Sequence, residues 1–502
     1  MKKLISGVVI ILLFMIIPLI VGVLAATKSD NTSDDYFIQG RNMGSITTFF
    51  TVSATWWSAF AFLGSNASLY SEGPVYLTAI GWNILFGILY FVVGKRVWYL
   101  GKKFNYVTPS DLLGDFYDSE KIRVVVGIVV VVFTIPYLQI QLTGGAYLIE
   151  IASGGYIPFW LAALMFYIVI LIYVWVGGIR AIAWTDIIYG AILLFGLLYA
   201  GLYLSNVVGG PIAMFEQMQA QYPEHMVLPG PDGNAGYGMW ISLCFITAIG
   251  ALMGPQMWLR MYSVKNGTIF NLMPFLISII AICYAGSLLV SWTGVLVMPG
   301  VENPDQILPL LLMEYAPFII AALILAAGAS AAMSTANSQI HAVSTVMTKD
   351  FYQRYKNPDA SHAKLMRIGR YYLLVFSAIA YVLALFAPGL LVTVGLIAFG
   401  GTAQLIVPTL GALFWKRSTA TGALTGMISG LFVMMILQFT PLPLPFGLSS
   451  SMYGLFVNVL LFVVVSLLTK PRPVSVSSRF ELALNEFNKE EHKGHNDKKK
   501  SA

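Results

Sequence analysis

Charged residues are scarce in this sequence. Only 10% of the 502 residues are Asp, Glu, Lys or Arg, whereas soluble domains average about 25%. Hydrophobic residues make up 58% of the chain and the mean hydropathy is +0.77. This composition excludes an ordinary soluble domain and predicts an all-α polytopic membrane protein. The formal net charge of +6 is then no sign of nucleic-acid binding, because in membrane proteins the position of the charge matters more than its sum.

Cysteine is nearly absent, and clusters of metal-ligating side chains are not evident. Cys244 and Cys283 both lie in apolar segments, so we expect inert core thiols rather than a disulfide or a metal site. A membrane-embedded enzyme would need grouped His, Asp or Glu at depth, and His341 has no such neighbours in its segment. The sequence therefore does not favour an enzyme.

Apolar runs of about 20 residues, the length that spans a bilayer, recur from end to end. We predict about thirteen transmembrane helices. They lie near 4–26, 45–71, 75–98, 124–151, 157–178, 184–206, 238–261, 267–297, 317–347, 367–387, 390–415, 419–440 and 451–469.

Basic residues are distributed unevenly between the predicted loops. If the amino terminus lies outside, all of the 29 Lys and Arg residues except Lys2 and Lys3 fall on one face. None is then expected in the middle of the membrane, and Arg260 is assigned to this face. Because basic loops stay on the cytoplasmic side, we predict a multi-pass cell-membrane protein with an outside N-terminus and a cytoplasmic C-terminus.

The two ends of the chain allow alternative interpretations. The first segment could be a cleaved signal peptide, since Lys2 and Lys3 precede an apolar run that ends in Val-Leu-Ala-Ala at 23–26; its apolar run of about 23 residues is long for that purpose. The charged tail, 471–502, is expected to be solvated and partly disordered, with contact to lipid headgroups as the alternative.

Two segments are unsuited to continuous helices. The second places Ser53, Thr55 and Ser58 around two tryptophans, and the seventh contains Gly250, Gly254 and Pro255. Proline lacks a donor and clashes with the preceding turn, so we predict a break near 250–255. The second and seventh segments each begin a set of five crossings. Because five is odd, the second set is inverted in the membrane relative to the first. Interrupted segments at matching places in two halves indicate the binding site of a transporter.

The ninth segment, within 326–352, carries small and hydroxyl residues where leucine is expected. On a helix they form one stripe by the three-and-four spacing. Its members are Ala331, Ser334, Thr335, Ser338, His341, Ala342 and Thr345. The stripe should face protein rather than lipid. From spacing alone, a packing seam and a site for a partly dehydrated cation are equally supported.

Other polar residues in the apolar segments are candidates for function. Asp186 is interpreted as one half of a structural ion pair with Arg180 near the cytoplasmic side, and His341 as a packed, hydrogen-bonded side chain. Gln141 and Gln404 could line a solute pocket or satisfy neighbouring helices. Trp56 is the first choice for an aromatic wall of that pocket, with packing alone as the alternative.

The chain from 35 to 470 resembles the sodium:solute symporter family. The resemblance rests on the order of seven pieces, each weak alone. They are YFIQGRNMG at 36–44, SATWWSAFAFLG at 53–64, TPSDLLGDFY at 108–117, GGIRAIAWTDIIYG at 177–190, GPQMWLR at 254–260, AAMSTANSQIHAVSTVMTKDFY at 331–352 and ALFWKRSTATGALTGMISG at 412–430.

The resemblance implies a leucine-transporter-type fold. A first helix and loop, 1–44, would precede a ten-helix core, 45–415, built as a five-plus-five inverted repeat with broken helices 2 and 7. Two further helices, 416–470, and the tail, 471–502, would follow. The resemblance also implies a sodium site between the second and ninth segments. Its ligands would be the carbonyls of Ala54, Trp57 and Ala331 and the hydroxyls of Ser334 and Thr335.

The resemblance implies import of a small organic solute with co-transported sodium. The proline-transporting branch has an Asp at the position of Trp56 and aromatics at those of Thr247 and Ala251, which makes proline doubtful here. The second segment is closer to branches that move monocarboxylates. Candidate substrate residues are Trp56, Gln141, Thr247, Ala251 and Gln404.

Two alternatives to this function remain open at the level of sequence. One is proton-coupled symport of an amino acid or a pantothenate-like acid. The other is a transporter-like membrane sensor, although a tail of 32 residues from Pro471 cannot hold the kinase module of such relatives. The expected partners are a small-molecule substrate and membrane lipid, with no nucleic acid; the sequence specifies neither the substrate nor the oligomeric state.

Overall fold

The computed structural model describes residues 32–386 and 389–501, together with positions 16, 17, 20, 21, 24 and 27. Across this part of the chain the secondary structure is helical, apart from one isolated bridge between Met43 and Val264. The all-α prediction is therefore confirmed. The predicted first crossing, 4–26, falls largely outside the described residues.

The helices are numbered here in chain order, and several contain a 3₁₀ or π turn. They are α1 Ser33–Ile38, α2 Ser45–Trp56, α3 Phe60–Ser71, α4 Gly73–Phe104, α5 Pro109–Phe116, α6 Glu120–Ala152, α7 Phe159–Ser205, α8 Pro211–Gln221, α9 Tyr237–Met253, α10 Pro255–Ser263, α11 Thr268–Val297, α12 Ile307–Tyr315, α13 Phe318–Lys356, α14 His362–Phe386, α15 Leu391–Phe414, α16 Ala420–Phe439, α17 Ser450–Leu468 and α18 Val474–Ser501.

Eight of the described helices are long and apolar enough to cross a membrane, and four bent pairs raise the number of candidate spans to as many as 12. Both predicted breaks are present. Helices α2 and α3 meet at 55°, and so do α9 and α10. The fifth and sixth predicted crossings both fall within α7, which leaves the helical path and bends sharply at Gly178, where φ is +54°. A side chain there would be strained, so glycine permits the bend.

The stripe on α13 is enclosed by protein, as predicted. Ser334, Thr335 and Ser338 are at most 2% exposed, and α13 packs against α2, α7 and α10. Large apolar side chains that remain exposed, such as Phe195, Ile279 and Phe432, lie on the outer surface of the bundle, where lipid is their natural environment. Cys244 and Cys283 are free thiols, also as predicted.

One end of the bundle is basic. This basic face is formed by residues 95–123, 349–370 and 416–418 together with the chain after 469. Its side chains form several ion pairs between loops, among them Arg354 with Glu120 and Arg123 with Asp111, the latter at 2.9 Å. The opposite face carries the connections 72–73, 206–236 and 298–317.

The tail corrects the prediction of a solvated, partly disordered end. Residues Val474–Ser501 form α18, an amphipathic helix that docks on the basic face. Phe480, Ala483 and Phe487 are at most 4% exposed. The phenyl ring of Phe480 packs on those of Phe104 and Phe116, with ring centroids 5.2 and 5.1 Å away. Phe480, Ala483 and Phe487 are spaced three and four residues apart and so form one apolar stripe on the helix. The many charged residues between them obscured this stripe in the sequence.

On the opposite face, a buried carboxylate joins the 298–317 connection to the first turn of α15. The backbone N–H of Leu391 donates to Oδ2 of Asp305 at 3.0 Å. Oδ1 has no partner among the described residues, and Asp305 is 1% exposed. Because burial penalises the charged form, the pKa of Asp305 is raised to about 7. Between pH 3.8, the ordinary pKa of this carboxyl group, and about pH 7, the folded protein therefore keeps a proton that the unfolded chain has released.

Stability should fall as pH rises from about 4 to 7, because the folded state holds the Asp305 proton more tightly than the unfolded state. We expect Asp305→Asn, whose side-chain oxygen can still accept from the Leu391 N–H, to remove this pH dependence. Above pH 7 its free energy of unfolding should exceed that of the wild type by at most about 4 kcal/mol. Thermal unfolding in detergent at pH 5 and pH 8 measures it, with Asp232→Asn at an exposed carboxylate as the control. Equal pH dependence in all three proteins would contradict the assignment.

Candidate functional site

The break between α2 and α3 releases backbone carbonyls at depth in the bundle. The last bond of α2 runs from the Trp57 N–H to the Ser53 carbonyl at 2.8 Å. In a continuous helix the N–H of Ala59 would donate to the Thr55 carbonyl. Instead it donates to the Gln141 side-chain oxygen at 3.0 Å. The N–H of Phe60 likewise donates to Ser58 Oγ at 3.2 Å. The carbonyls at the end of α2 are thus available to other partners.

Helix α13 meets these carbonyls with a hydroxyl. Thr335 Oγ1 lies 3.2 Å from the Thr55 carbonyl and 3.5 Å from that of Ala54. Ala331, one turn earlier on α13, is fully buried, as is Ser334. The structure therefore places one α13 hydroxyl, that of Thr335, against carbonyls at the end of α2; of the two carbonyls, that of Ala54 belongs to the predicted sodium site. The contacts of Thr335 are with the carbonyls of Ala54 and Thr55. Trp57 is the first residue after α2 whose backbone is not helical, with φ −86° and ψ 86°.

A buried ion pair lies beside this meeting point. Oδ2 of Asp186, on α7, accepts from Nη2 of Arg260, on α10, at 3.2 Å, and both side chains are at most 1% exposed. Oδ1 of Asp186 accepts from Ser334 Oγ at 2.5 Å. The hydroxyl of Thr51, on α2, also donates to this carboxylate. Asp186 therefore ties three helices to the α13 stripe.

The guanidinium of Arg260 is similarly saturated. Its Nη2 donates to Ser338 Oγ at 2.6 Å, and its Nε donates to the carbonyl and hydroxyl of Thr51 at 3.1 and 3.0 Å. Nη1 donates to the Gln256 carbonyl at 3.0 Å. Breaking such a pair by removing one partner costs about 3–5 kcal/mol, because it leaves an uncompensated buried charge. The pair fixes the positions of the hydroxyls on either side of it.

Two predictions about charge were wrong. Asp186 pairs with Arg260 rather than Arg180, whose guanidinium instead contacts Asp35. Arg260 is buried in the bundle rather than exposed on the basic face. Counting charges in the predicted loops places every arginine in a loop. Arg260 instead lies within helix α10, less than two turns after the break at Gly254. Opposite charges in two apolar segments usually pair, and this rule could have linked Asp186 to Arg260.

Gln141, a predicted substrate residue, lies at the break between α2 and α3. Its amide bridges α3 to its own helix α6, accepting from Ala59 N and donating to the Tyr137 carbonyl at 3.1 Å. The hydroxyl of Tyr137 lies 3.0 Å from Ser58 Oγ. Gln141 is thus the predicted substrate residue that reaches the first turn of α3.

Trp56 is more constrained than the sequence suggested. Its indole N–H donates to Asn83 Oδ1 on α4 at 2.7 Å. The ring stacks on Phe86 with centroids 4.2 Å apart and an interplanar angle of 18°. The Trp57 ring instead packs towards Tyr284 on α11. Asn83 was missed, because a single amide on a long apolar helix gives little sequence signal.

The second break contributes unpaired polar atoms. Thr247 and Ala251 lie one turn apart on α9 and are buried just before it. The Thr247 hydroxyl has no hydrogen-bond partner within the described chain, nor does Oε1 of Gln256 just after it. Thr402, on α15, donates to the Gly250 carbonyl at 2.8 Å. Buried polar atoms are normally satisfied, so unpaired ones at a break indicate a place where a polar solute or water can bind.

Gln404, the remaining predicted substrate residue, bonds to a different part of the bundle. Its side-chain oxygen accepts from Asn458 on α17 at 3.0 Å, and its amide nitrogen donates to the Gly400 carbonyl at 3.3 Å. It therefore joins α15 to the C-terminal helices. His341 is packed and hydrogen-bonded as predicted, with Nε2 3.0 Å from the Tyr36 carbonyl.

The arrangement favours an alkali cation over a transition metal. Among the described residues there is no group of three or more His, Cys, Asp or Glu side chains that could hold a metal ion. The oxygens near the break are neutral carbonyls and hydroxyls, and the carbonyl end of a half-helix is its negative end. Unwound carbonyls of this kind coordinate sodium in transporters with discontinuous helices.

Similar sequences come from sodium-coupled transporters. The chain is 28% identical to the sodium/pantothenate symporter of Haemophilus influenzae, over 81% of this chain and 84% of that protein. It is 27% identical to the sodium/proline symporter of Staphylococcus aureus strain USA300, over 92% of each.

Solved structures share the fold. A Na⁺-coupled sialic acid symporter in a substrate-bound outward-open state aligns with a TM-score of 0.78 at 20% identity, over 93% of this chain and 98% of that chain. A nucleobase-cation-symport-1 family transporter aligns with a TM-score of 0.58 at 14% identity, over 89% of this chain and 98% of that chain. The predicted leucine-transporter-type inverted-repeat fold is confirmed.

The profile of the sodium:solute symporter family matches residues 36–430, which includes both breaks and the whole of α13. The protein is therefore a multi-pass membrane transporter rather than an enzyme, and sodium is its co-transported ion. The chain belongs to the sodium:solute symporter family.

Proposed function

We propose that this symporter imports a small organic acid with sodium bound between α2 and α13. The sodium ligands are the carbonyls of Ala54, Trp57 and Ala331 and the hydroxyls of Ser334 and Thr335. The contact of Thr335 Oγ1 with the Ala54 and Thr55 carbonyls carries this proposal, because it brings α13 oxygen to carbonyls that the break has released.

Sodium at this place would couple the two helices. An ion that binds α2 and α13 together stabilises the arrangement in which they are close, and whatever solute binds that arrangement best gains affinity. Such coupling is reciprocal, so solute must tighten sodium by the same factor. The basic face is the cytoplasmic side in this proposal, and the N-terminus lies outside.

The proposed substrate carries a carboxylate that binds the first turn of α3. A helix N-terminus favours negative charge because its N–H groups are free and it is the positive end of the helix dipole. In the structure the neutral oxygen of Gln141 holds the Ala59 N–H, so an acceptor already occupies the position of a carboxylate oxygen. The similar pantothenate symporters act on an acid, and we favour a monocarboxylate of comparable or smaller size.

Ser334→Ala and Thr335→Ala should each raise the sodium concentration for half-maximal uptake by about tenfold to a hundredfold, because each removes one oxygen ligand worth about 1–3 kcal/mol. Uptake into proteoliposomes is measured against sodium, with choline as the replacement ion at fixed pH. Ser330→Ala, whose hydroxyl bonds only within α13, is the matched control. Unchanged half-saturation in both variants would remove these hydroxyls from the site.

The Asp186–Arg260 pair should behave as one unit. Asp186→Asn and Arg260→Gln are each expected to lose about 3–5 kcal/mol of stability, and the double variant less than their sum. Thermal unfolding in detergent measures this. Lys416→Gln, which breaks an exposed pair with Glu481 at 3.0 Å, should lose less than about 1 kcal/mol. Single variants as mild as this control would show that the pair is not structural.

A carboxylate should be required in the solute. We expect sodium-dependent accumulation of small monocarboxylates or pantothenate, and at least about tenfold less of the matching neutral amides, since an amide places no charge at the α3 terminus. Gln141→Glu should abolish acid uptake by placing a negative charge beside that terminus. Sodium-dependent thermal stabilisation should persist in this variant. Equal uptake of acids and amides would contradict the proposed substrate class while leaving sodium coupling intact.

A further inference from the structure

The docked tail encloses a cavity on the basic face. The cavity has a volume of about 240 Å³ and lies between α18 and the ends of α4, α5 and α15. Its lining includes Arg96, Phe116, Lys416, Arg472, Asn485 and Asn488. Three of these are cationic, and Glu481 is the one carboxylate in the lining.

The two arginines are half-buried and lack carboxylate partners within the described residues. Arg96 donates from Nη1 to the Leu413 carbonyl at 3.2 Å and lies over the Phe414 ring at 4.4 Å. Arg472 donates to the carbonyls of Phe116, Ser418 and Lys416 at 3.1, 3.2 and 3.4 Å. A guanidinium has five N–H donors, so each arginine retains N–H groups that are not bonded to these carbonyls.

Glu481 does not neutralise this charge. Its carboxylate bonds to Lys416 at 3.0 Å, and one carboxylate cannot balance the three cations of the lining. Partial burial lowers the pKa of Arg472, and the nearby Glu481 acts in the opposite direction without cancelling that effect. A phosphate oxygen is the acceptor that matches free guanidinium donors best.

A partly apolar surface adjoins Arg96. A second cavity, of about 170 Å³, shares Arg96 and Phe414 with the first and is also lined by Phe91, Val92 and the ion pair of Lys95 with Glu491. Phe91, Val92 and Phe414 are 37%, 38% and 46% exposed on the outside of the bundle. A ligand with phosphate on Arg96 can therefore extend along a lipid-facing apolar surface, which a soluble phosphate would not use.

We propose that the space under α18 binds the phosphate of an anionic phospholipid from the adjacent leaflet, held by Arg96 and Arg472, with its acyl chains along Phe91 and Phe414. The lipid thereby joins α4 to α18. This inference is independent of the transported solute.

Native mass spectrometry of the full chain, released from micelles that contain phosphatidylglycerol or phosphatidylcholine, tests the proposal. The wild type should retain phosphatidylglycerol about tenfold more than phosphatidylcholine. Arg96→Gln with Arg472→Gln should remove this preference, because the charge-assisted bonds to phosphate are lost. The control, Lys121→Gln with Arg367→Gln, removes two exposed charges from the same face and should keep it.

A second variant protects the test against misfolding of the first. Asn485→Glu with Asn488→Glu alters only α18 and directs negative charge into the cavity, so it should also abolish the preference. Retention of phosphatidylglycerol by both double variants, or equal retention of the two lipids by the wild type, would overturn the proposal. Competition by soluble glycerol phosphate as strong as by the lipid would overturn the lipid assignment.

Discussion

The structure depends on how the end of α2 satisfies its backbone. The chain leaves the helical path at Trp57, between α2 and α3, and the N–H groups of Ala59 and Phe60 bond to Gln141 and Ser58 instead of closing the next turn. A buried carbonyl without a partner costs about 1–3 kcal/mol. Thr335 supplies one hydroxyl to two of these carbonyls. A cation coordinated by these oxygens would stabilise the break more fully, which is the physical reason for proposing a cation site there.

The Asp186–Arg260 pair holds this arrangement from the side. Its hydrogen bonds reach Thr51 on α2, Ser334 and Ser338 on α13 and Gln256 on α10. The two broken segments, related by the inverted repeat, are therefore connected through charge rather than through packing alone. The hydroxyl of Ser334, a proposed sodium ligand, also bonds to this ion pair. Because Asp186 bonds to both α2 and α13, movement of α2 away from α13 must disturb the hydrogen bonds of Asp186.

Much of the fold was predictable because membrane constraints are severe. Apolar length predicted thirteen spans, of which the described residues contain 8 to 12 candidates. Gly254 with Pro255 predicted the second break. The α13 stripe was recognisable because hydroxyls in lipid must face protein. Family resemblance was needed to choose between a packing seam and a sodium site.

The errors share a different origin, since they concern pairings between distant segments. Asp186 and Arg260 are 74 residues apart, and nothing local to either indicates the other. Gln404 bonds to Asn458, 54 residues further along the chain, a contact that spacing within one helix does not reveal. The docked tail was hidden because three apolar residues in a highly charged segment give a weak periodic signal. Side-chain direction on a known helix is the information that spacing alone could not supply.

The most direct test of the central claim is equilibrium binding of radioactive sodium to the purified protein in detergent without solute. The account predicts saturable binding that is lost in the combined Ser334→Ala and Thr335→Ala variant and kept in Ser330→Ala. Saturable binding of equal affinity in the combined variant, or no saturable binding in the wild type, would contradict it.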